Sequence, residues 1–361
     1  MTQKKPYFFL FFALAAVPLL TACQVPAQKT YEKKRYIYTD YLDTVCVVDL
    51  YLEQGSDTDY KDQIAEKLQY YHQLFDAYHP YDNLTNVWSV NRAAGDHAVA
   101  VPDDLYRLLQ LCLDQSGQTG GRTDISMGAV TKIWKQFMER ISADSEDTEI
   151  PSGIVFPSQE ELQTAKSHSG MEYIILNEEQ HSVYLSDPDM LLDVGAVAKG
   201  YIAEQLAVCL RSLGIESACI NLGGNVKVVG KRLAADGRTY WTSTVRNPET
   251  RQEYDFVLKL EDNDTLVTSG NYERFVQIDG VRYSHLIDPD TLWPAQEMAS
   301  VTILATDSAL ADTLSTALFS LSVEEGKEIL SHYDSVEAFW VTSQYETFWT
   351  DGFPSHIIQK P

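Results

Sequence analysis

One short, bare segment constrains this chain more than any other. Met190-Leu191-Leu192 is apolar, Asp193-Val194-Gly195-Ala196-Val197-Ala198-Lys199-Gly200 is built mainly of small residues, and Tyr201 to Leu213 is amphipathic. That order predicts a strand end, a tight turn and the first turn of a helix. Gly195 and Ala196 keep the turn bare, so the main chain there is open to close approach by a ligand's backbone or phosphate. Asp193 and Lys199 place opposite charges on either side of it. An ordinary strand-to-helix connection is built in the same way, so the segment gains meaning only from what accompanies it.

From Tyr36 to Pro361 there is no long linker, low-complexity tract or internal repeat. Thr44 to Leu52 alternates with strand period. Asp59 to Phe75 carries Ile64, Leu68, Tyr71 and Phe75 at helical spacing, and Pro102 to Gln115 does the same with Leu105, Leu108, Leu109 and Cys112. Ser142 to Ser158, rich in acids, Ser and Pro, predicts an exposed loop, and Glu172 to Leu185 a hairpin. Further strands are expected at Ser217 to Ile220, Asn225 to Lys231, Tyr240 to Arg246 and Ser300 to Ala305, with a helix from Ser308 to Leu321. Phe275 to Ser284 reads as a hairpin closed by Asp279-Gly280, a type I′ signal. Hairpins mixed with packed helices predict an α+β fold of mostly antiparallel sheets. The expectation is one unit over residues 36–361, with two lobes and a cleft between them.

The first 22 residues read as an export signal. Lys4 and Lys5 precede an apolar run from Tyr7 to Leu20, too short for a comfortable membrane span. Leu20-Thr21-Ala22-Cys23 resembles the lipobox of bacterial lipoproteins, which implies a mature chain lipid-anchored through Cys23 on the outer face of the cell membrane. Residues 23–35 then form a tether. A formal net charge of −24 argues against nucleic acid as a partner, and means that a polyanionic ligand needs a metal or a local cluster of donors. Cys46, Cys112, Cys209 and Cys219 each sit among apolar residues without metal-ligand spacing, as buried thiols or a disulfide pair.

Four further segments carry chemistry. Asn221-Leu222-Gly223-Gly224-Asn225 joins two predicted strands, and its glycines suit an anion-binding nest or a plain hairpin turn. Thr268 to Phe275 crowds hydroxyls, a glycine, a ring and Arg274 ahead of a strand. His285, ending the Tyr283-Ser284-His285-Leu286-Ile287-Asp288-Pro289 segment, is either a satisfied strand histidine or a general base. Asp312 and Thr316 lie one turn apart on a helix of small and apolar residues. A carboxylate and a hydroxyl on one otherwise buried face suit Mg²⁺, which takes hard oxygen ligands. Thr316 bonding back to the Asp312 carbonyl is the plainer alternative.

Taken together these segments resemble the ApbE family, the FAD:protein FMN transferases, from about Leu42 to Phe319. Asp193 to Gly200 resembles the family's Asp-x-Gly-Gly-x-Ala-Lys-Gly element, and Asn221 to Asn225, Thr268 to Phe275 and Ala311 to Phe319 match in order. Phe75 through Tyr78 to Asn91 resembles its flavin-side loop, and Thr123-Asp124-Ile125-Ser126 with Ile133-Trp134 another element. The resemblance implies that FAD is the substrate and Mg²⁺ the cofactor. It places the metal on Asp312, Thr316 and the backbone carbonyl of Ala196, and FAD against Asp193 and Lys199. Leu42, Asp124 and Leu286 fall where the family makes further flavin contacts, and His285 where a histidine acts on the acceptor. Three departures stand out: Ala196 replaces a second glycine, Leu292-Trp293 replaces the usual glycine after Asp-Pro-x-Thr, and the stretch before Asn91 is longer and carries Trp88.

The activity so implied is transfer of FMN from FAD to a threonine or serine hydroxyl of an exported acceptor protein, with release of AMP. Two rivals use the same residues. One is hydrolysis of FAD to FMN and AMP; the other is a flavin-binding surface lipoprotein without chemistry.

Overall fold

The computed structural model describes residues 1–2, 29–144, 149–150, 153–254 and 256–359. Most of the export signal, Cys23 and the first part of the tether lie outside the described residues. The tether's end does not: Tyr31–Tyr38 is a strand, paired antiparallel along its whole length with Cys46–Glu53. Folded structure therefore begins before Tyr36.

One eight-stranded sheet organises the chain. Its strands follow one another across the sheet in chain order: Tyr31–Tyr38, Cys46–Glu53, Ala218–Leu222, Asn225–Val229, Thr265–Gly270, Met298–Ala305, Glu337–Thr342 and Thr347–Trp349. Every neighbouring pair is antiparallel. Both faces of its centre are covered, because successive side chains alternate between them. Val267, Val301, Ile303, Ala338 and Trp340 pack toward the helices. Leu266, Leu304, Phe339 and Val341 pack against Trp241, Leu258 and Leu260 of a small three-stranded sheet. This double burial explains why Met298–Ala305 is buried at all its positions, Ser300 and Thr302 included.

The helices over the sheet match the predicted periodicity. Lys61–Leu74 buries Ile64, Leu68, Tyr71 and Leu74, and Asp103–Gln118 buries Leu105, Leu108, Leu109 and Cys112. The Phe275–Ile278 and Val281–Ser284 hairpin turns on Asp279 and Gly280 with φ of 50° and 79°, the left-handed pair a type I′ turn requires. Around it gathers a second, smaller core of Trp134, Phe137, Leu162, Val276, Ile278 and Leu292. The four expected thiols are all free, with Cys46 and Cys112 buried and Cys209 and Cys219 partly exposed.

Two expectations fail. Met190-Leu191-Leu192 is not a strand: Leu191 makes one isolated bridge with Met127, and Leu192 gives its N–H to Asn91 Oδ1 and its carbonyl to Asn91 Nδ2. The apolar run signalled burial, but an asparagine side chain, not a ladder, satisfies the backbone. The helix also starts at Gly195, so the bare residues are its first turn and not a turn before it. Ser142 to Ser158 is not simply an exposed loop. Its first residues complete the Gly128–Asp144 helix, Glu149–Ile150 pairs in parallel with Gln277 and Ile278, and Phe156 stacks on Phe137.

Candidate active site

Two helices distant in sequence build the centre of the site. Gly195–Ser212 and Ser308–Ala317 run antiparallel, joined by two hydrogen bonds. The Ser308 N–H donates to Glu204 Oε1 at 2.7 Å, and the Gly200 N–H donates to Asp312 Oδ2 at 2.8 Å. Each step is one helical turn, so the same register carried one turn further sets Ala196 opposite Thr316. Contact this close needs Gly200: a Cβ there would lie 2.2 Å from the Ser308 carbonyl oxygen and 2.6 Å from Asp312 Cβ. Gly200 is also the residue whose N–H an α-helix directs at the Ala196 carbonyl. Asp312 therefore reaches the very amide that adjoins that oxygen.

The donors here are hard oxygens. Asp312 is 4% exposed, and burial raises its carboxyl pKa from 3.8, opposed by Lys199, the Gly200 N–H and Asn225. Among the described residues no ion pair reaches this carboxylate. Thr316 is half-buried, and the back-bond weighed for it belongs to its neighbour: Ser315 Oγ donates to the Asp312 carbonyl at 3.0 Å. The Thr316 hydroxyl lies 3.5 Å from that of Ser269. A nearly inaccessible carboxylate with no ion-pair partner, near a hydroxyl and a first-turn carbonyl, is a donor set of the kind a divalent cation takes.

Lys199 lies beside this carboxylate and beside His285. It makes no hydrogen bond or ion pair among the described residues, yet its charge acts on both groups. His285 is exposed to solvent on one side and closely surrounded by protein on the other. That crowding, with the positive charges of Lys199 and Arg274, pushes its imidazole down from 6.5 to about 4; Asp193 acts weakly the other way. Near neutral pH the ring is uncharged. Its Nδ1 lies 3.3 Å from the Arg274 carbonyl oxygen, which assigns the proton to Nδ1 and leaves Nε2 as the acceptor.

Asp193 is oriented by three donors: Tyr78 Oη at 3.0 Å, Thr131 Oγ1 at 3.2 Å and the Gly195 N–H at 2.9 Å. Leu42, with φ of 59°, gives its N–H to His72 Nδ1 in a loop whose next residue accepts from Arg274 Nη2. Asp124 accepts from the Ser126 N–H and from Lys166 Nζ. Its loop is tied to the site on both sides, through Asp193 N–H to the Ile125 carbonyl and Thr123 Oγ1 to the Thr313 carbonyl. Leu286 follows His285 and packs against the cluster that holds Val267, Val301 and Leu314.

At Gly223-Gly224 the hairpin alternative is what the fold uses. Both glycines have positive φ, 62° and 102°, between the paired residues Leu222 and Asn225. The Gly223 N–H donates to the Val45 carbonyl and the Gly224 N–H to Asn221 Oδ1, so these amides are not free as a nest requires. Leu292 stands where glycine was expected, and adopts φ of 65° as a glycine would. Trp134 Nε1 holds its carbonyl at 2.8 Å, and its side chain is buried.

The sequence did not single out Asn225, Ser269, Glu204 or Lys227 as individuals. The first two lie in segments already noted; a lysine amid the Asn-Val-Lys-Val-Val strand was the available signal for the last.

Arrangement and ancestry agree. The fold is a mixed α+β architecture in which two helices and a histidine hairpin frame an oxygen-rich, cation-suited site. The family model described as the ApbE family matches residues 42–340, and the chain belongs to that family. It is 32% identical over 260 residues to the FAD:protein FMN transferase of Klebsiella pneumoniae (strain 342), covering 72% of this chain and 75% of that one. It is 33% identical over 265 residues to the FAD:protein FMN transferase of Treponema pallidum (strain Nichols), covering 70% and 69%. In fold it is similar to the flavin transferase ApbE from Vibrio cholerae, with a TM-score of 0.75 and 21% identity over 90% of this chain and 99% of that one.

Proposed function

We propose that this chain transfers FMN from FAD to a threonine or serine hydroxyl of an exported acceptor protein, releasing AMP and leaving the flavin on a phosphoester. The observation that carries the reading is the Gly200–Asp312 contact, which brings a buried carboxylate onto the first turns of the helix that holds Ala196, near an unpaired Lys199. Family membership and the named activity of its relatives support it.

Asp312, Thr316 and the Ala196 carbonyl would hold Mg²⁺, which when bound neutralises charge on the pyrophosphate. Lys199 meets the same phosphates with a second positive charge. Asp193, fixed by Tyr78, Thr131 and Gly195, orients the flavin side, with Leu42, Asp124 and Leu286 shaping its surroundings. The acceptor hydroxyl attacks the phosphorus on the riboflavin side. A new O–P bond forms, the P–O bond to the bridging oxygen breaks, and AMP departs. The hydroxyl proton passes to Nε2 of His285. An imidazole held near 4 is a weak base, but the bound pyrophosphate adds negative charge opposite to that of Lys199 and Arg274 and raises it.

The same reading anchors the protein by lipid at Cys23 on the outer face of the membrane, where an exported acceptor is within reach. Among the described residues no helix is long and apolar enough to cross a membrane.

The test is mass spectrometry of an acceptor protein incubated with this chain, FAD and Mg²⁺. A mass gain equal to FMN is expected. AMP and FMN released with no gain on the acceptor would favour hydrolysis, and FAD bound without turnover would favour a binding protein.

A further inference from the structure

Lys227 is fully buried in a strand, Asn225–Val229, whose five residues are all buried. Its ammonium is surrounded by acceptors: Glu204 Oε1 at 2.7 Å, the Thr306 carbonyl at 2.6 Å and the Asn263 carbonyl at 2.9 Å. Glu204 belongs to the helix that carries Ala196 and Gly200, and its Oε1 also accepts the Ser308 N–H. Ser308 opens the helix that carries Asp312 and Thr316, and Thr306 leads into it. Lys227 thus grips one helix by a side chain and the entrance of the other by its backbone.

Stability does not account for this pair. Withdrawing the Lys227 ammonium and part of Glu204 from water costs about as much as their attraction returns, so the charge pair itself adds little net stability. What the pair adds is direction. Apart from the single Gly200–Asp312 hydrogen bond, the helices meet largely through small residues such as Ala203, Ala207 and Ala311, and such contacts are non-directional. The strand contributes twice to the ladder. Asn225 and Lys227, two apart, share a face of the strand; Asn225 bears on Asp312 and Lys227 on Glu204, one turn away along the helix pair.

We infer that Lys227 and Glu204 are positioning residues, which set the register of the two helices and so keep Asp312 and Thr316 level with the Ala196 carbonyl. They touch neither substrate nor cation. The inference rests on the reading of that trio as the cation site.

The experiment uses the full chain with both charges removed, Lys227→Met with Glu204→Met, and Mn²⁺ as the probe, followed by electron paramagnetic resonance. Circular dichroism should stay that of a folded chain, with a thermal midpoint lowered because the Asn263 and Thr306 carbonyls and the Ser308 N–H lose their partners, while the Kd for Mn²⁺ rises by about tenfold or more, as for loss of an outer support of a metal site. Transfer at limiting Mg²⁺ should fall and recover as Mg²⁺ is raised, a change in the metal requirement with little change in kcat. Should the double variant not fold, Glu204→Gln keeps the Ser308 hydrogen bond, loses the charge, and is judged by the same Kd. A folded variant that binds Mn²⁺ as tightly as the parent overturns the inference and leaves the proposed function standing. A parent that binds no divalent cation overturns both.

Discussion

The Gly200 N–H and Asp312 Oδ2 meet at 2.8 Å across 112 residues of chain, and the site exists because of that contact. Gly200→Ala tests it. The added methyl has nowhere to go between the Ser308 carbonyl and Asp312 Cβ, so the helices must part. We expect a loss of about 1–3 kcal/mol in stability, typical of overpacking. It should come with weaker divalent-cation binding, read by denaturant unfolding and by titration with Mn²⁺. Unchanged cation affinity in a folded variant would separate the contact from the site.

Burial of the Asp312 carboxylate outweighs the help it receives from Lys199, the Gly200 N–H and Asn225. Its folded pKa lies above 3.8, so as pH rises past 3.8 and through the folded value, ionisation costs the cation-free protein stability. Asp312→Asn should therefore be at least as stable as the parent without cation at neutral pH. The parent's thermal midpoint should rise on adding Mg²⁺ and the variant's should not. Differential scanning fluorimetry with and without Mg²⁺ decides it.

For His285 the sign is the reverse of a stabilising ion pair. Its folded pKa is lowered from 6.5 toward about 4, so the cost to stability is absent above 6.5 and grows as pH falls through that window. His285→Gln should remove this component, visible as a flatter dependence of thermal midpoint on pH. The same variant should keep FAD affinity and lose transfer. Lys199→Met, by removing a positive neighbour, should raise the His285 pKa in an NMR titration and weaken FAD binding.

Leu292 opposes two effects in one residue. Left-handed backbone costs a non-glycine residue about 1–2 kcal/mol, and truncating a buried leucine costs about 2–5 kcal/mol. Leu292→Gly relieves the first and incurs the second, so a net loss of about 1–3 kcal/mol is expected from chemical denaturation. A stabilised variant would mean that the Trp134 hydrogen bond alone holds this loop.

Much of the framework was written in local pattern. Alternation marked Cys46–Glu53, helical spacing marked Lys61–Leu74 and Asp103–Gln118, and Asp279-Gly280 marked its turn, because period and turn chemistry act between near neighbours. Asp312, Thr316, His285 and Lys199 were legible as chemistry for the same reason: an acid on a buried helix face or a histidine at a strand end is unusual wherever it occurs. Met190 to Leu192 misled because an apolar run reports burial and not the partner of its backbone, which here is the side chain of Asn91. Only the tertiary structure could decide that Gly200 lies on Asp312, that Lys227 bridges Glu204 and Thr306, and that both Gly223 and Gly224 amides are already used. Periodicity says which face of an element is buried. Which residue faces it is settled by close packing and by the pairing of buried polar groups, and those act between segments that a sequence keeps far apart.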